Sequence, residues 1–595
     1  MRDPISRRDW LKAMGAAGAG TVLHVPPTLT PPVPILPLGS TSEVFVPPRG
    51  RAFMKFSFDF PEPSVEFAGL RFGFLVFTRE NAYALDESAM RADGTDALTV
   101  TATGLCCAGG QVKVQGRVDA RLRKDGDAVL CDVTAQMDQP IKAVTVVVRG
   151  VPRGTLSSGG GEPFDPHDDE VLWGYPFGGG DLFGDNTAWG MGTPLVVVQS
   201  SEQEFLALSS LDDHVRTKRF YFQPGEHGYR VELVHEVEGW LDRRTVQVPT
   251  WSVQRAASMD SAVSPHYAHL ERAYHFPRWE TRTDVPDWLR RTELVVTLHG
   301  MHFTGYIFND YARMLDILRW IATQIPATQV LAFISAWDGR YYWDYPTYEA
   351  APRMGGEAGF KRLVQEGQRL GFKIMPMFGA NASNRKLANF ANFADAATAR
   401  IDGDPFNLSW VDWDNDRHQE GFGVYMNLGV ESWRRWLTGR IADVIDRYGV
   451  DAYFLDIIGG WVNNTKADMH EGARALISEL RTRYPRVLAC GEFLYDALLE
   501  FIPLYHASYS PHHVPYARFF SHLSHPAPGR GSSGVHESGF NKWDPATLSL
   551  SKRAGLIPTL NIVDDTFTKY RDQMSAVIAQ AKAWGGGGGG GGGAP

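Results

Sequence analysis

The sequence predicts a multidomain chain of mixed class, an N-terminal large β-sandwich followed by a (β/α)8 barrel. Three observations carry this. Residues 44–280 are a succession of short alternating or apolar runs with Gly, Asp and Pro punctuation every 8–14 residues, the texture of antiparallel strands. From residue 294 onward β-rich runs alternate with helical patterns, the texture of parallel α/β architecture. Within that half, the runs 452–455 and 487–489 flank one helical segment, and each stops close to a carboxylate, Asp456 and Glu492. A β-α-β unit of this kind places both acids on one rim of a parallel sheet.

Taken in order, the chain begins with Ser6-Arg7-Arg8-Asp9-Trp10-Leu11-Lys12 and a weakly apolar run to residue 25. That pattern resembles a bacterial twin-arginine export signal over residues 1–25, with Trp10 in the Phe position, and implies a periplasmic or secreted protein. Residues 26–43 are a Pro-rich linker without periodicity. The sandwich is expected over 44–284, built from segments such as LRFGFLVFT, QVKVQGRVDARLR and YRVELVHEV. A Gly-rich loop at 159–185 interrupts it; its acidic run Asp165–Glu170 reads as a solvated loop rather than a cation site. The barrel is expected over 285–584, with β1 at 294–298, β2 at 330–335, β3 at 373–378 and β4 at 452–455. β5 follows at 487–489, β6 near 506–508, a weak β7 near 533–536 and β8 at 557–562. Helices fit at 311–323, 359–370, 431–448, 467–484, 545–553 and 568–584. A doubly wound sheet is the competing fold, but no Gly-rich phosphate fingerprint follows the first strand. Residues 585–595, nearly all Gly, form a flexible tail.

Composition narrows the partners. A net charge of −9 disfavours nucleic acid and anionic membrane surfaces, and no stretch beyond the leader approaches 18 apolar residues, so no stable membrane insertion is expected. The four cysteines, Cys106, Cys107, Cys131 and Cys490, have no metal-ligand spacing with histidine and read as structural. Neither cofactor nor metal is expected. Asp412, Asp414 and Asp416 have the D-x-D-x-D spacing of calcium loops, yet Arg417 stands where the loop needs Gly. Aromatics at 12%, with 17 Trp, are high.

With the strands so placed, their C-terminal ends carry a mixture of Asp, Asn, His, Trp and Tyr: His299 and His302 after β1; Trp337, Asp338, Trp343 and Asp344 after β2; Asn381 after β3; Asp412 and Asn427 in the excursion before β4. Asp456 and Trp461 follow β4, Glu492 follows β5, His512 and His513 follow β6, and Asp564 and Asp565 follow β8. Carboxylates, amides and imidazoles bind sugar hydroxyls, and aromatic rings stack on the CH faces of pyranoses, so this rim suits a carbohydrate. Trp337 and Trp343 are the best stacking candidates, with core packing the competing role. An N-cap is the competing role for Asp456, Asp564 or Asp565, and a salt bridge for Glu492.

GVDAYFLD at the end of strand four and CGE at the end of strand five resemble the retaining glycoside hydrolases built on (β/α)8 barrels. These include the α-amylase and endo-α-N-acetylgalactosaminidase families. The segment WDGRYYWDYPTYEAAP, with GGEAGFKRLVQEGQRLGFKIMPMFGAN after it, is similar to glycosidases related to the α-galactosidases. The resemblance spans about residues 290–565 and implies Asp456 as nucleophile and Glu492 as general acid/base on a carbohydrate, with an α-linkage. It departs from the amylase pattern at Phe454, where that pattern has Arg, and from the α-galactosidases in lacking an evident Asp on strand six. A non-catalytic carbohydrate-binding envelope protein and a polysaccharide lyase are the alternative functions.

Overall fold

The structure, a computed structural model, describes residues 62–176, 189–302, 305–340, 343–401, 403–406, 423–506, 510–520, 554–563 and 566–585. The leader and linker at 1–43, the strand expected at 533–536, the helix expected at 545–553 and the tail from 586 lie outside these residues.

Residues 64–256 form one sheet of sixteen strands, antiparallel except where Val171–Tyr175 pairs in parallel with Trp189–Gly190. Its core is the hairpin series Ala97–Cys107, Val112–Asp125 and Ala128–Met137. Its second turn is tight: Asp125 pairs with Ala128 across Gly126, whose φ of +58° suits glycine. In place of the expected two packed sheets there is a single hydrogen-bonded order, which folds back on itself. Phe220 and Trp251 lie on strands far apart in that order, yet their rings meet at 5.5 Å. Lys218–Gly225 and Gly228–Glu236 are buried along almost their whole length on both faces, which hides the period-two signal expected of a half-exposed strand.

The reading of 44–280 as strands throughout is corrected at Met259–Ala273, which is an α-helix. Pro265 inside it masks the helical pattern, while a capping box between Ser258 and Ser261 starts it.

Residues 294–562 supply a parallel, barrel-like sheet. Its strands, numbered here in chain order, are β1 Leu294–His299, β2 Val330–Ser335, β3 Lys373–Gly379, β4 Ala452–Asp456, β5 Leu488–Glu492, β6 Leu504–His506 and β7 Arg518–Phe520. β8 is broken by Pro558 into Leu556–Ile557, which pairs with β7, and Thr559–Ile562, which pairs with β1. The pairing order therefore returns to its start. Phe333 of β2, Phe454 of β4 and Phe520 of β7 meet inside, at 4.4 to 6.4 Å between ring centroids, filling the interior as side-chain layers do in closed parallel sheets. The seventh strand is thus Arg518–Phe520, fifteen residues before the expected position. Three residues with only two apolar side chains give too short a run to stand out in sequence. Helices Tyr311–Ile321, Gly356–Leu370, Glu431–Tyr448, Met469–Arg483 and Arg571–Gly585 fall where the periodicity puts them. A short antiparallel pair, Ala382–Asn384 with Gly423–Tyr425, is an addition the sequence did not reveal.

Candidate active site

Asp456 is the last residue of β4 and Glu492 the last of β5, and the two strands pair in parallel register. Alternation along β4 puts Asp456 on the same inward face as Phe454, directly above the phenylalanine layer. Each carboxylate is followed by a residue in the left-handed region, Ile457 at φ +53° and Phe493 at φ +56°. That conformation is costly for any side chain and most of all for a β-branched one. It turns the chain sharply at the strand end, so that the Ile457 amide donates to Glu492 Oε2 at 2.9 Å. Glycine is demanded beside the turn. A Cβ on Gly459 would fall 1.4 Å from the Phe493 carbonyl oxygen, and one on Gly460 would fall 1.9 Å from the Tyr425 hydroxyl.

The two carboxyl groups are in hydrogen-bond contact, and both side chains are buried. Two carboxyls this close cannot both ionise cheaply. Burial raises the Glu492 pKa above the usual carboxylate range. Glu492 and His506, register partners on β5 and β6, also meet: His506 Nδ1 lies 3.3 Å from Glu492 Oε1. The His506 ring packs against Phe454 and Phe520, and burial pushes it down to about 3, leaving it neutral. Tyr425 feels both acids and donates to the Gly460 carbonyl. Tyr348 is raised chiefly by burial, and also by the charges of Asp338 and Asp456.

The other sequence-predicted residues divide. Asn381 belongs to the site: its Nδ2 donates to the Ile457 carbonyl at 2.9 Å and so braces the left-handed turn. Asp338 is buried at the end of the β2 rim with its acid pushed up to about 8, chiefly by burial and then by Asp344, and its Oδ2 has no hydrogen-bond partner. Asp344 closes a turn by accepting from the Arg340 amide at 2.6 Å. Trp343 is half-buried under the Arg340 guanidinium, 4.4 Å from its ring. Trp337, expected as a stacking platform, is enclosed: it stacks on Phe360 and donates to the Met377 carbonyl at 2.9 Å. Trp461 is likewise core. His299 is fully buried against Ser335 Oγ at 2.9 Å, with its pKa pushed down to about 3, and His302 sits against Phe308. Asn427 is consumed by Asn464, Ala467 and Gly429. His512 stacks on Tyr267 of the helix Met259–Ala273, and His513 meets the same ring edge-on. Asp412, with its calcium-like run, and Asp564 and Asp565 lie outside the described residues.

Sequence reasoning missed His506, Tyr425 and Tyr348. His506 ends a three-residue strand, and the available signal was its place two residues beyond Leu504 at a strand C-terminus.

The antiparallel sheet holds the rim in place. Asn463, in the loop after β4, donates to Glu236 Oε2 at 3.2 Å and to the Val237 carbonyl at 3.0 Å, while its Oδ1 accepts from the Gly239 amide. Asp496, after β5, accepts from the Tyr175 hydroxyl at 2.6 Å and donates its amide to the Gly192 carbonyl. The loops that carry both site carboxylates are therefore tied to one rigid surface, the kind of support a preorganised site needs.

No family model matches the sequence, and no curated protein matches it either. Among solved structures, a quadruple mutant of the α-N-acetylgalactosaminidase NagBb from Bifidobacterium bifidum is similar with a TM-score of 0.61 and 12% identity, covering 88% of this chain and 93% of that one. The same enzyme in its GalNAc complex gives 0.58 at 10% identity over the same shares of the two chains. At such identity the likeness is one of fold.

Proposed function

We propose that the chain is a glycoside hydrolase of the retaining type, exported through its twin-arginine leader and acting on α-linked glycans from a (β/α)8 barrel. The observation that carries this is the contact of two buried carboxyls at the ends of β4 and β5. The fold, shared with an α-N-acetylgalactosaminidase, is in keeping with it. Asp456 attacks the anomeric carbon as Glu492 gives its proton to the leaving oxygen. Water then releases the glycosyl group, losing its proton to Glu492 as the bond to Asp456 breaks. Inverting enzymes hold their carboxyls about 6.5–9.5 Å apart to admit water between them, and retaining ones about 5–5.5 Å. Touching groups leave no place for that water. Hydrogen-bond contact is closer than either spacing, and of the two it is nearer the retaining one. Burial supports the acid role, because it shifts Glu492 toward the protonated form that the first step needs.

The test is a panel of aryl α- and β-glycosides and polysaccharides, with the product anomer read by NMR. Retention, lost together with turnover in Asp456→Asn and Glu492→Gln, is expected. Turnover within about tenfold of the parent in either variant, or an inverted product, overturns the assignment.

A further inference from the structure

We propose that Tyr306 is the stacking platform for the leaving sugar, which makes glycans of two or more pyranose rings the preferred substrate class. The inference deepens the glycosidase reading above and rests on it.

The platform begins at the end of β1. Thr297 is the register partner of Phe333, whose ring lies inside the barrel-like sheet, so alternation turns His299 inward as well. The chain then forms a tight hairpin. Met301 and Ile307 bridge, the His302 amide donates to the Tyr306 carbonyl at 2.8 Å, and the Phe308 amide donates to the Gly300 carbonyl at 2.9 Å. Residues opposite one another in an antiparallel pair share a face, which puts His302, Tyr306 and Phe308 together. Their rings show it: Phe308 meets His302 at 5.5 Å and Tyr306 at 5.6 Å, both edge-on. The same Phe308 ring lies 5.2 Å from His299. One aromatic face therefore runs from the inward end of β1 to the surface.

Exposure rises along that face. His299 is fully enclosed, Phe308 nearly so, His302 half-buried, and Tyr306 54% exposed. A lone exposed ring is ordinary on a protein surface; what distinguishes Tyr306 is its place. β1 stands four strands from β5 in either direction around the closed order, so this face rises across the mouth from Glu492. Asp456 and Glu492 are buried at the strand ends. The ring that Asp456 attacks must lie at that depth, and a group that reaches the height of Tyr306 lies beyond the bond being cleaved. A pyranose presents an apolar CH face, which an open aromatic ring binds by stacking. Trp343, the other rim aromatic, is covered: the Arg340 guanidinium lies 4.4 Å from its ring. The Arg340 stem also packs beside Gly305 in the hairpin, which leaves Tyr306 as the open ring on a braced support.

The experiment compares a disaccharide of the class the panel selects with the matching glycosyl fluoride, whose leaving group has no ring. In Tyr306→Ala the disaccharide-to-fluoride ratio of kcat/KM is expected to fall about tenfold. Tyr306→Phe keeps the ring and should hold the ratio within about threefold of the parent. A ratio that holds in the Ala variant, or falls as far in the Phe variant, overturns the proposal. Saturation-transfer NMR reads the contact without turnover. The probes are α- and β-linked disaccharides of galactose, N-acetylgalactosamine and glucose, bound to Asp456→Asn with and without Tyr306→Ala. Saturation of the reducing-end ring should be lost with Tyr306, and equal transfer in both proteins overturns the proposal. A chain that binds these sugars through Tyr306 and cleaves none refutes the glycosidase reading and leaves the platform standing. Cleavage without contact at the reducing-end ring refutes the platform alone, and a chain that neither binds nor cleaves refutes both.

Discussion

Two acidic groups sit on the same rim and behave differently. Asp456 and Glu492 are in contact, and Glu492 accepts from the Ile457 amide on one oxygen while the His506 ring lies 3.3 Å from the other. Asp338, after β2, also feels the charge of nearby Asp344, yet Asp344 is spent on the Arg340 amide and Asp338 has one oxygen without a partner. Spacing at strand ends does not separate these cases. Backbone geometry does: left-handed residues directly after Asp456 and Glu492 bend both loops so that the carboxyls face one another, whereas the β2 chain reaches its left-handed residue, Ala336, before the acids and carries them into a turn.

The comparison can be broken most sharply by activity. Asp456→Asn and Glu492→Gln are expected to lose about 10³-fold or more in kcat, and Asp344→Asn to stay within about tenfold in steady-state assays. Equal losses in all three would erase the distinction. Next comes the turn itself. Gly459→Ala should cost about 3 kcal/mol or more in denaturant unfolding, because its Cβ would meet backbone at Phe493 that cannot step aside; a cost under about 1 kcal/mol would show the turn to be adaptable.

The third prediction concerns pH. The Asp338 acid stands at about 8 when folded, against an ordinary value of 3.8. Between these values the folded chain holds a proton that the unfolded chain has released. Stability attributable to this group therefore falls as pH rises through the window. Asp338→Asn should match the parent near pH 4 and exceed it near pH 8 by an amount on the order of a few kcal/mol, measured by denaturant midpoints at the two pH values. A parallel pair of curves would refute the burial of an unpaired acid. The smallest effect is at Trp337. Trp337→Phe removes the bond to the Met377 carbonyl and some core volume, so stability should fall by about 1–2 kcal/mol with KM unchanged. A rise in KM at constant stability would restore the stacking role.

Much of the parallel half was legible because its signals are local. Apolar runs of five or six residues, helices with one apolar face and an acid at each of two strand ends can be read without neighbours. Arg518–Phe520 and the helix at Met259–Ala273 were not, one too short to show a period and the other carrying Pro265 in its interior. Rim tryptophans looked alike in sequence. Trp337 went to the core and Trp343 to a partly open place under Arg340 because the β2 loop folds between them, and loop paths depend on distant contacts.

The sequence by itself determined that two carboxylates end neighbouring parallel strands, since strand-helix-strand periodicity is written in consecutive residues. Only the tertiary structure decided that the carboxyls touch, that His506 joins them from the next strand, and that the antiparallel sheet clamps the loops beyond them through Asn463 and Asp496. The reason is physical. Chain neighbours set the element, but hydrogen-bond partners more than 200 residues apart set where its end points, and no local pattern records them.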